Sequence, residues 1–390
     1  MRSMSIVAGA VLFAAAVLIQ PARADETSTT EVPEPRKFAT PVWDQSAEWV
    51  IDGAYSGSGA AGDLDGPRLD FMGRRHPRIA GFANAVLNES NDHVAQIYLS
   101  SLDRIHKAAG SATGYLDGPF SRARFIAGSY SSRGKTAISP DGRYIYMTEP
   151  ALGLCLRQID FGTQQVRTLM KKGSIFGLEC GTKVPLYVLT SDYRIVMMDA
   201  DANILREIKA QMPEGAKFAN WGCTLLLDEE KGRLYGSRQA SGQIDWFIWY
   251  WDLSDGTFHG ILPMTVGEYD PTTMKGWGPA RVGRGHLFGT FEGTGWYPEL
   301  WIRFKPGDTE RNHIWTGCTD MSNVWVLDLK AKQTYMLVGD GDKAVWAKPG
   351  SSVYNRLSVH GGFGWATDGS DDFYIPTNGG GPFIRYKRVK

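Results

Sequence analysis

The sequence predicts an all-β chain folded as a six-bladed β-propeller, and three observations point there. Gly and Pro supply 65 of the 390 residues, about 17%, against a norm of roughly 12%. The 13 Trp, 16 Tyr and 17 Phe add a large aromatic payload. Turn formers and rings in this abundance favour many short strands over long helices. Third, Gly62-Asp63-Leu64-Asp65-Gly66-Pro67 returns 52 residues later as Gly114-Tyr115-Leu116-Asp117-Gly118-Pro119. A period of that size marks a repeat architecture.

The chain opens with Arg2, an apolar run over 6–19 and the small-x-small triplet Ala22-Arg23-Ala24. That is the pattern of a secretory signal peptide, so 1–24 is expected to be cleaved and the protein to be secreted or periplasmic. The run falls short of the ~20 residues that cross a bilayer, so the mature protein is expected to have no membrane span. Residues 25–41 are rich in Pro and Thr and suit a flexible leader. Residues 42–390 are expected to form a single propeller domain.

Strand-turn-strand units follow each other along that domain. Strands are expected at 49–55, 96–108, 135–138, 143–148, 155–159 and 165–170, then at 185–190, 195–199 and 204–208. Further strands are expected at 223–227, 233–237, 247–252, 257–262, 286–291, 299–304, 324–329 and 334–338, with 361–367, 372–376 and 383–388 closing the chain. Ser139-Pro140-Asp141-Gly142 and Glu229-Glu230-Lys231-Gly232 are hairpin turns in which Gly takes the positive-φ position. Outer strands end near Ser58, Gly110, Gly173, Pro213, Gly267 and Gly339, which makes six units. Strand 49–55 would complete the last unit, because a radial array closes by pairing its first and last strands. Seven blades, or an open pair of β-sandwiches, are the alternatives.

Charge excludes some functions. With 42 Lys+Arg against 42 Asp+Glu, neither a nucleic-acid binder nor a polybasic membrane anchor is expected. The four cysteines, Cys155, Cys180, Cys223 and Cys318, form no CxxC pair. Structural zinc is therefore not expected; one or two disulfides, in any of three pairings, or small buried thiols are. Gly57-Ser58-Gly59-Ala60-Ala61-Gly62 fits the dinucleotide pattern in letters only, since a turn and no helix follows it. The seven His contain no HxH, HExxH or i,i+4 pair, so the sequence assigns no metal ligands and predicts no cofactor.

Residues entering the innermost strand of each blade converge at a propeller's channel mouth. By the strand assignment these are Arg133 and Lys135, Glu179, Asn220 and Trp221, Trp277 and Arg281, and His360. His360 as base, with Glu179 and the charges of Arg133 and Arg281, would suit proton abstraction beside a carboxylate. Asn220, Trp221, Trp277 and the loop pair Trp296 and Tyr297 would contact ligand, the rings stacking on sugars or cations. Trp246 to Trp251 is read instead as packing between blades.

At 102–125 the chain resembles the NHL-repeat propellers. Leu102-Asp103-Arg104-Ile105-His106-Lys107 is similar to their outer strand, and 114–125, with Asp117-Gly118 and Ala123-Arg124-Phe125, to their linker into the next blade. The resemblance is good over 100–170 and partial at 49–71. It implies the fold, and a binding, scaffolding or catalytic role without choosing among them. Residues 132–142 are also similar to the gluconolactonase-like six-bladed propellers. Arg133 stands where that family has a metal-ligating Asn, and a guanidinium has only donors. The family's calcium-dependent lactone hydrolysis is therefore not carried over.

Two functions fit. One is an exported binding module that takes a small-molecule or carbohydrate ligand, or a protein partner, through its channel mouth and loops. The other is a hydrolase or lyase acting on a carbohydrate, sugar acid or lactone at the propeller centre. A hydrolase with a central divalent metal on an unfamiliar ligand set is a third. The sequence leaves open whether the chain is an enzyme.

Overall fold

Strands form where alternate residues can bury on two sheet faces, and the chain supplies such runs in regular succession. The computed structural model describes residues 49–56, 66–67, 77–80, 85–89, 95–100, 104–110, 114–126, 136–149, 155–171, 175–214, 223–238, 246–263, 300–305, 308–318, 323–331, 333–338, 373–376 and 383–388. All of them belong to one unit, Lys37–Lys390. The expected signal peptide at 1–24 and leader at 25–41 lie outside the described residues.

After β1 (Trp49–Ser56), the first sheet holds β2 (Gly66–Pro67), β3 (Pro77–Ala80), β4 (Ala85–Glu89), β5 (Ala95–Ser100) and β6 (Arg104–Ala109). The second holds β7 (Gly118–Pro119), β8 (Thr136–Ile138), β9 (Tyr144–Glu149), β10 (Cys155–Asp160) and β11 (Gln165–Met170). The third is β12 (Ile175–Glu179), β13 (Leu186–Thr190), β14 (Arg194–Met198) and β15 (Ile204–Lys209). The fourth is β16 (Cys223–Asp228), β17 (Arg233–Arg238), β18 (Trp246–Asp252) and β19 (Phe258–Pro263). The fifth is β20 (Leu300–Phe304), β21 (His313–Cys318), β22 (Asn323–Asp328) and β23 (Gln333–Val338). β24 (Phe373–Pro376) and β25 (Phe383–Arg388) form the sixth sheet with β1, making six antiparallel sheets among the described residues.

The sheets follow one another around their first strands. β3 contacts β8, β8 contacts β12, β12 contacts β16 and β16 contacts β20, while β24 contacts β3. The arrangement is β-propeller-like. β1 pairs with β25, Trp49 opposite Arg388 and Ile51 opposite Tyr386. The first and last of the described strands thus share one sheet, as expected from a radial array, and cover an edge that would otherwise stand open.

The repeated Gly-Pro dipeptide has a defined place. Gly66-Pro67 pairs with Ile105 and Arg104, and Gly118-Pro119 pairs with Val166 and Gln165. In both cases it adds a two-residue strand outside the fourth long strand of a sheet. Proline is tolerated there because an edge strand needs no donor on its outer side.

Some elements differ from expectation. β3, β4 and β21 carry no prominent apolar alternation in the sequence; β21, His313-Ile314-Trp315-Thr316-Gly317-Cys318, mixes polar residues and glycine into its run. Its antiparallel pairing with β20 and β22 on either side makes it a strand. The strands expected at 286–291 and 361–367 lie outside the described residues. No helix among the described residues is long and apolar enough to cross a membrane.

The core lies between sheets, and alternation divides it. In β13, Leu186 and Val188 pack toward the second sheet, and Tyr187 and Leu189 toward the fourth. Val196 and Met198 of β14 repeat the first assignment, Ile195 and Met197 the second. Trp249 and Trp251 are fully buried in the core between the third and fourth sheets, so these rings of the aromatic run do pack between sheets. Gly236 is opposite Trp249 in the ladder, and a Cβ on it would lie 2.6 Å from the indole nitrogen. Only glycine leaves room for that ring.

Both expected turns form. Gly142 and Gly232 have φ of 71° and 62°, where glycine carries no Cβ penalty. Among the cysteines, Cys155 and Cys180 are buried free thiols, and Cys223 is buried as well. No disulfide involves Cys155 or Cys180, so the two-bridge alternative does not hold. Burial pushes the Cys155 thiol up to about 11, far from the reactive thiolate range.

Candidate functional site

The inner strands bring together one charged pair that no local pattern announces. Glu179 is the last residue of β12 and is buried. Its Oε2 accepts a hydrogen bond from Nη1 of Arg303 at 3.0 Å, and its Oε1 accepts one from the Cys180 N–H at 3.0 Å. Arg303 lies on β20, so the pair joins two strands that flank β16 and stand 124 residues apart in the chain.

Local geometry explains the approach. Gly177 shares a strand face with Glu179, and a Cβ there would meet Leu225 Cγ at 2.6 Å and the Cys223 carbonyl at 3.1 Å. β12 and β16 can therefore close to contact, which lets the Glu179 side chain reach toward β20. Burial raises the Glu179 pKa above its ordinary value, while the Arg303 charge opposes that shift. Arg303 remains 42% exposed, and its other guanidinium donors have no partner among the described residues. One arm is held and the rest is presented, as in a site for a carboxylate or another anion.

This placement corrects one expectation. Glu179 ends its inner strand and does not enter it, so it stands at the opposite strand end from the position assigned. Among the described residues the first strand of the fifth sheet is β20, and Trp296 and Tyr297 come shortly before it in the chain. His360, Arg133, Arg281, Asn220, Trp221, Trp277, Trp296 and Tyr297 lie outside the described residues, as does Lys135. Arg303 was missed from sequence. Its one signal is a lone charge inside the run Leu300-Trp301-Ile302-Arg303-Phe304.

Around the pair, charged side chains lock successive inner-strand turns. The Glu229 carboxylate accepts the N–H groups of Thr182 at 2.8 Å, Lys183 at 3.0 Å and Val184 at 3.2 Å, and the Thr182 hydroxyl as well. Arg311 donates to the buried Asp228 at 2.6 Å, and the Lys231 ammonium to the Glu310 carbonyl at 2.5 Å. These contacts tie the third sheet to the fourth and the fourth to the fifth. Among the described residues, no three His, Cys, Asp or Glu side chains converge as a metal site.

The Glu229 clamp makes a pH-dependent prediction. Burial works against its charge, but the Thr182 hydroxyl and the three backbone donors outweigh that and hold its pKa below 4.5. Folding therefore favours the ionised form. The contribution is complete above the unfolded value and is lost as pH falls through the folded one. The Tm gap between wild type and Glu229→Gln is expected to be largest near neutrality and to narrow below about pH 4.5, measured by circular dichroism. A gap independent of pH would show that the clamp does not depend on charge.

No family model matches the chain, and no curated protein matches its sequence. Solved structures do share its fold. A structural-genomics protein of unknown function from Bacteroides thetaiotaomicron superposes with a TM-score of 0.60 at 13% identity, over 88% of this chain and 76% of that one. An auxiliary nutrient binding protein from the same organism gives 0.57 at 9% identity, over 88% and 77%. At such identities the likeness is one of fold: all-β, built of antiparallel sheets in a β-propeller-like arrangement.

Proposed function

We propose that this chain is an exported, NHL-like six-bladed β-propeller that binds a carboxylate-bearing small molecule, such as a sugar acid, without transforming it. The observation that carries the reading is Arg303, fixed on one side by Glu179 and presenting its remaining donors beside the inner strands. The pairing of β1 with β25 and the six sheets support the six-bladed form. The name of one fold neighbour, an auxiliary nutrient binding protein, is in keeping with a binding role. Export rests on the signal-like start of the sequence. His360, Arg133 and Arg281, with Asn220, Trp221, Trp277, Trp296 and Tyr297, are the further proposed contacts, and no cofactor is required.

Binding is favoured over catalysis because Arg303, the group presented beside the inner strands, has only donors and can hold an anion but take no proton. A general base must have a lone pair within reach of the proton it takes. The test is calorimetric titration of the purified chain with D-glucuronate and D-gluconate. Arg303→Lys, which keeps charge but loses the planar fork, is expected to weaken binding at least tenfold with an unchanged circular dichroism spectrum. Turnover of glucono-δ-lactone or polygalacturonate by the wild-type chain, lost in His360→Ala, would overturn this reading in favour of the hydrolase or lyase.

A further inference from the structure

At the rim, far along the strand order from the inner strands, a cleft of about 690 Å³ opens between the end of β6 and the β10–β11 turn. We infer that it is a second, independent site, and that it binds a neutral oligosaccharide. Its volume is within the range of small-molecule pockets, about 300–1,000 Å³.

The walls are preformed. Phe120, just past β7, donates its backbone N–H to the Gln164 carbonyl at 3.0 Å, and its ring meets that of Phe161 edge to face at 5.5 Å. The turn opposite is held by Asp160, whose carboxylate accepts the N–H groups of Gly162 at 2.8 Å and Thr163 at 3.2 Å. Arg143 in turn clamps Asp160 through two bonds of 3.2 Å each. Little ordering is left for a ligand to impose, which favours affinity.

The lining then selects the ligand class. The buried Ala109 and Phe120 and the half-buried Phe161 supply an apolar floor with part of one ring accessible, suited to the C–H face of a pyranose. Ser121, Gln164 and Gln165 stand exposed at the rim, and their side chains have no partner among the described residues. Hydroxyls and carboxamides both donate and accept, as sugar hydroxyls do. Among the described residues no carboxylate lines the cleft, and Lys107 is the one cation. A strongly charged ligand finds little to meet there.

The experiment uses the full chain with cellotriose, maltotriose, xylotriose and chitotriose, screened by saturation-transfer NMR and measured by calorimetry. At least one is expected to bind. Ser121→Trp, which fills the opening, and Gln165→Ala are each expected to weaken it at least tenfold, while Arg303→Lys leaves it unchanged. Both rim positions are exposed, so folding should persist. No binding of any of the four, or binding indifferent to both rim variants, would overturn the assignment. Loss of binding in Arg303→Lys would also overturn it, placing the sugar at the inner strands. Because Arg303 takes no part here, the rim site can fail while the sugar-acid reading stands, and the reverse.

Discussion

Replacing Arg157 with methionine is expected to cost about 3–5 kcal/mol, the range found when one member of a buried ion pair is removed. For a chain of this size the Tm should fall on the order of 10 °C. The Arg157 side chain is fully buried on β10 and spends its fork on the neighbouring strand β9 and on the linker around β7. Nη1 donates to the Arg124 carbonyl at 2.7 Å and to Glu149 at 2.9 Å. Nη2 donates to the Leu116 carbonyl at 2.9 Å and to Asp117 at 3.0 Å. Its guanidinium also lies 4.7 Å from the Phe125 ring and 5.1 Å from that of Tyr115. The repeated linker is thus pinned to its sheet by one side chain, and the variant leaves the fully buried Glu149 without that cation. Thermal denaturation measures the loss. The double variant Glu149→Met, Arg157→Met should recover part of it, because the buried carboxylate that lost this cation goes too. An unchanged Tm in the single variant would remove the linker staple.

Trp251→Ala is expected to cost a similar amount, about 3–5 kcal/mol, through the cavity it leaves. Trp251 is fully buried where the third and fourth sheets meet, 5.7 Å from Trp249 at 81° and 6.3 Å from Phe258. Its indole N–H donates to the Gln211 carbonyl at 2.9 Å, which also joins the two sheets. Urea denaturation separates the two contributions. Trp251→Phe keeps a ring and gives up the hydrogen bond, so it should cost clearly less than the alanine variant. Equal losses would mean that the hydrogen bond, and not the packing, dominates.

Most strands were legible because their signal is local. Alternation, or an apolar run buried on both faces, is written into consecutive residues such as 144–149 and 186–198. Turn glycines at 142 and 232 were legible for the same reason, a positive φ being a property of one residue. β21 was not, since its pairing partners supply what its composition lacks. The site was less legible still. Glu179 was singled out, but its place at the end of β12 depends on where the strand starts, and a shift of a few residues moves a side chain from one strand end to the other.

The sequence alone settled the all-β class, the pairing of the first strand with the last, and the Asp-Gly-Pro linkers, because short-range pattern and a 52-residue repeat encode them. Only the tertiary structure decided which charges meet. Glu179 finds Arg303 across 124 residues, and Asp117 finds Arg157 across 40. Such pairings follow from the order of sheets around the inner strands and from close approaches like that at Gly177. Neither is a property of any stretch of chain taken by itself.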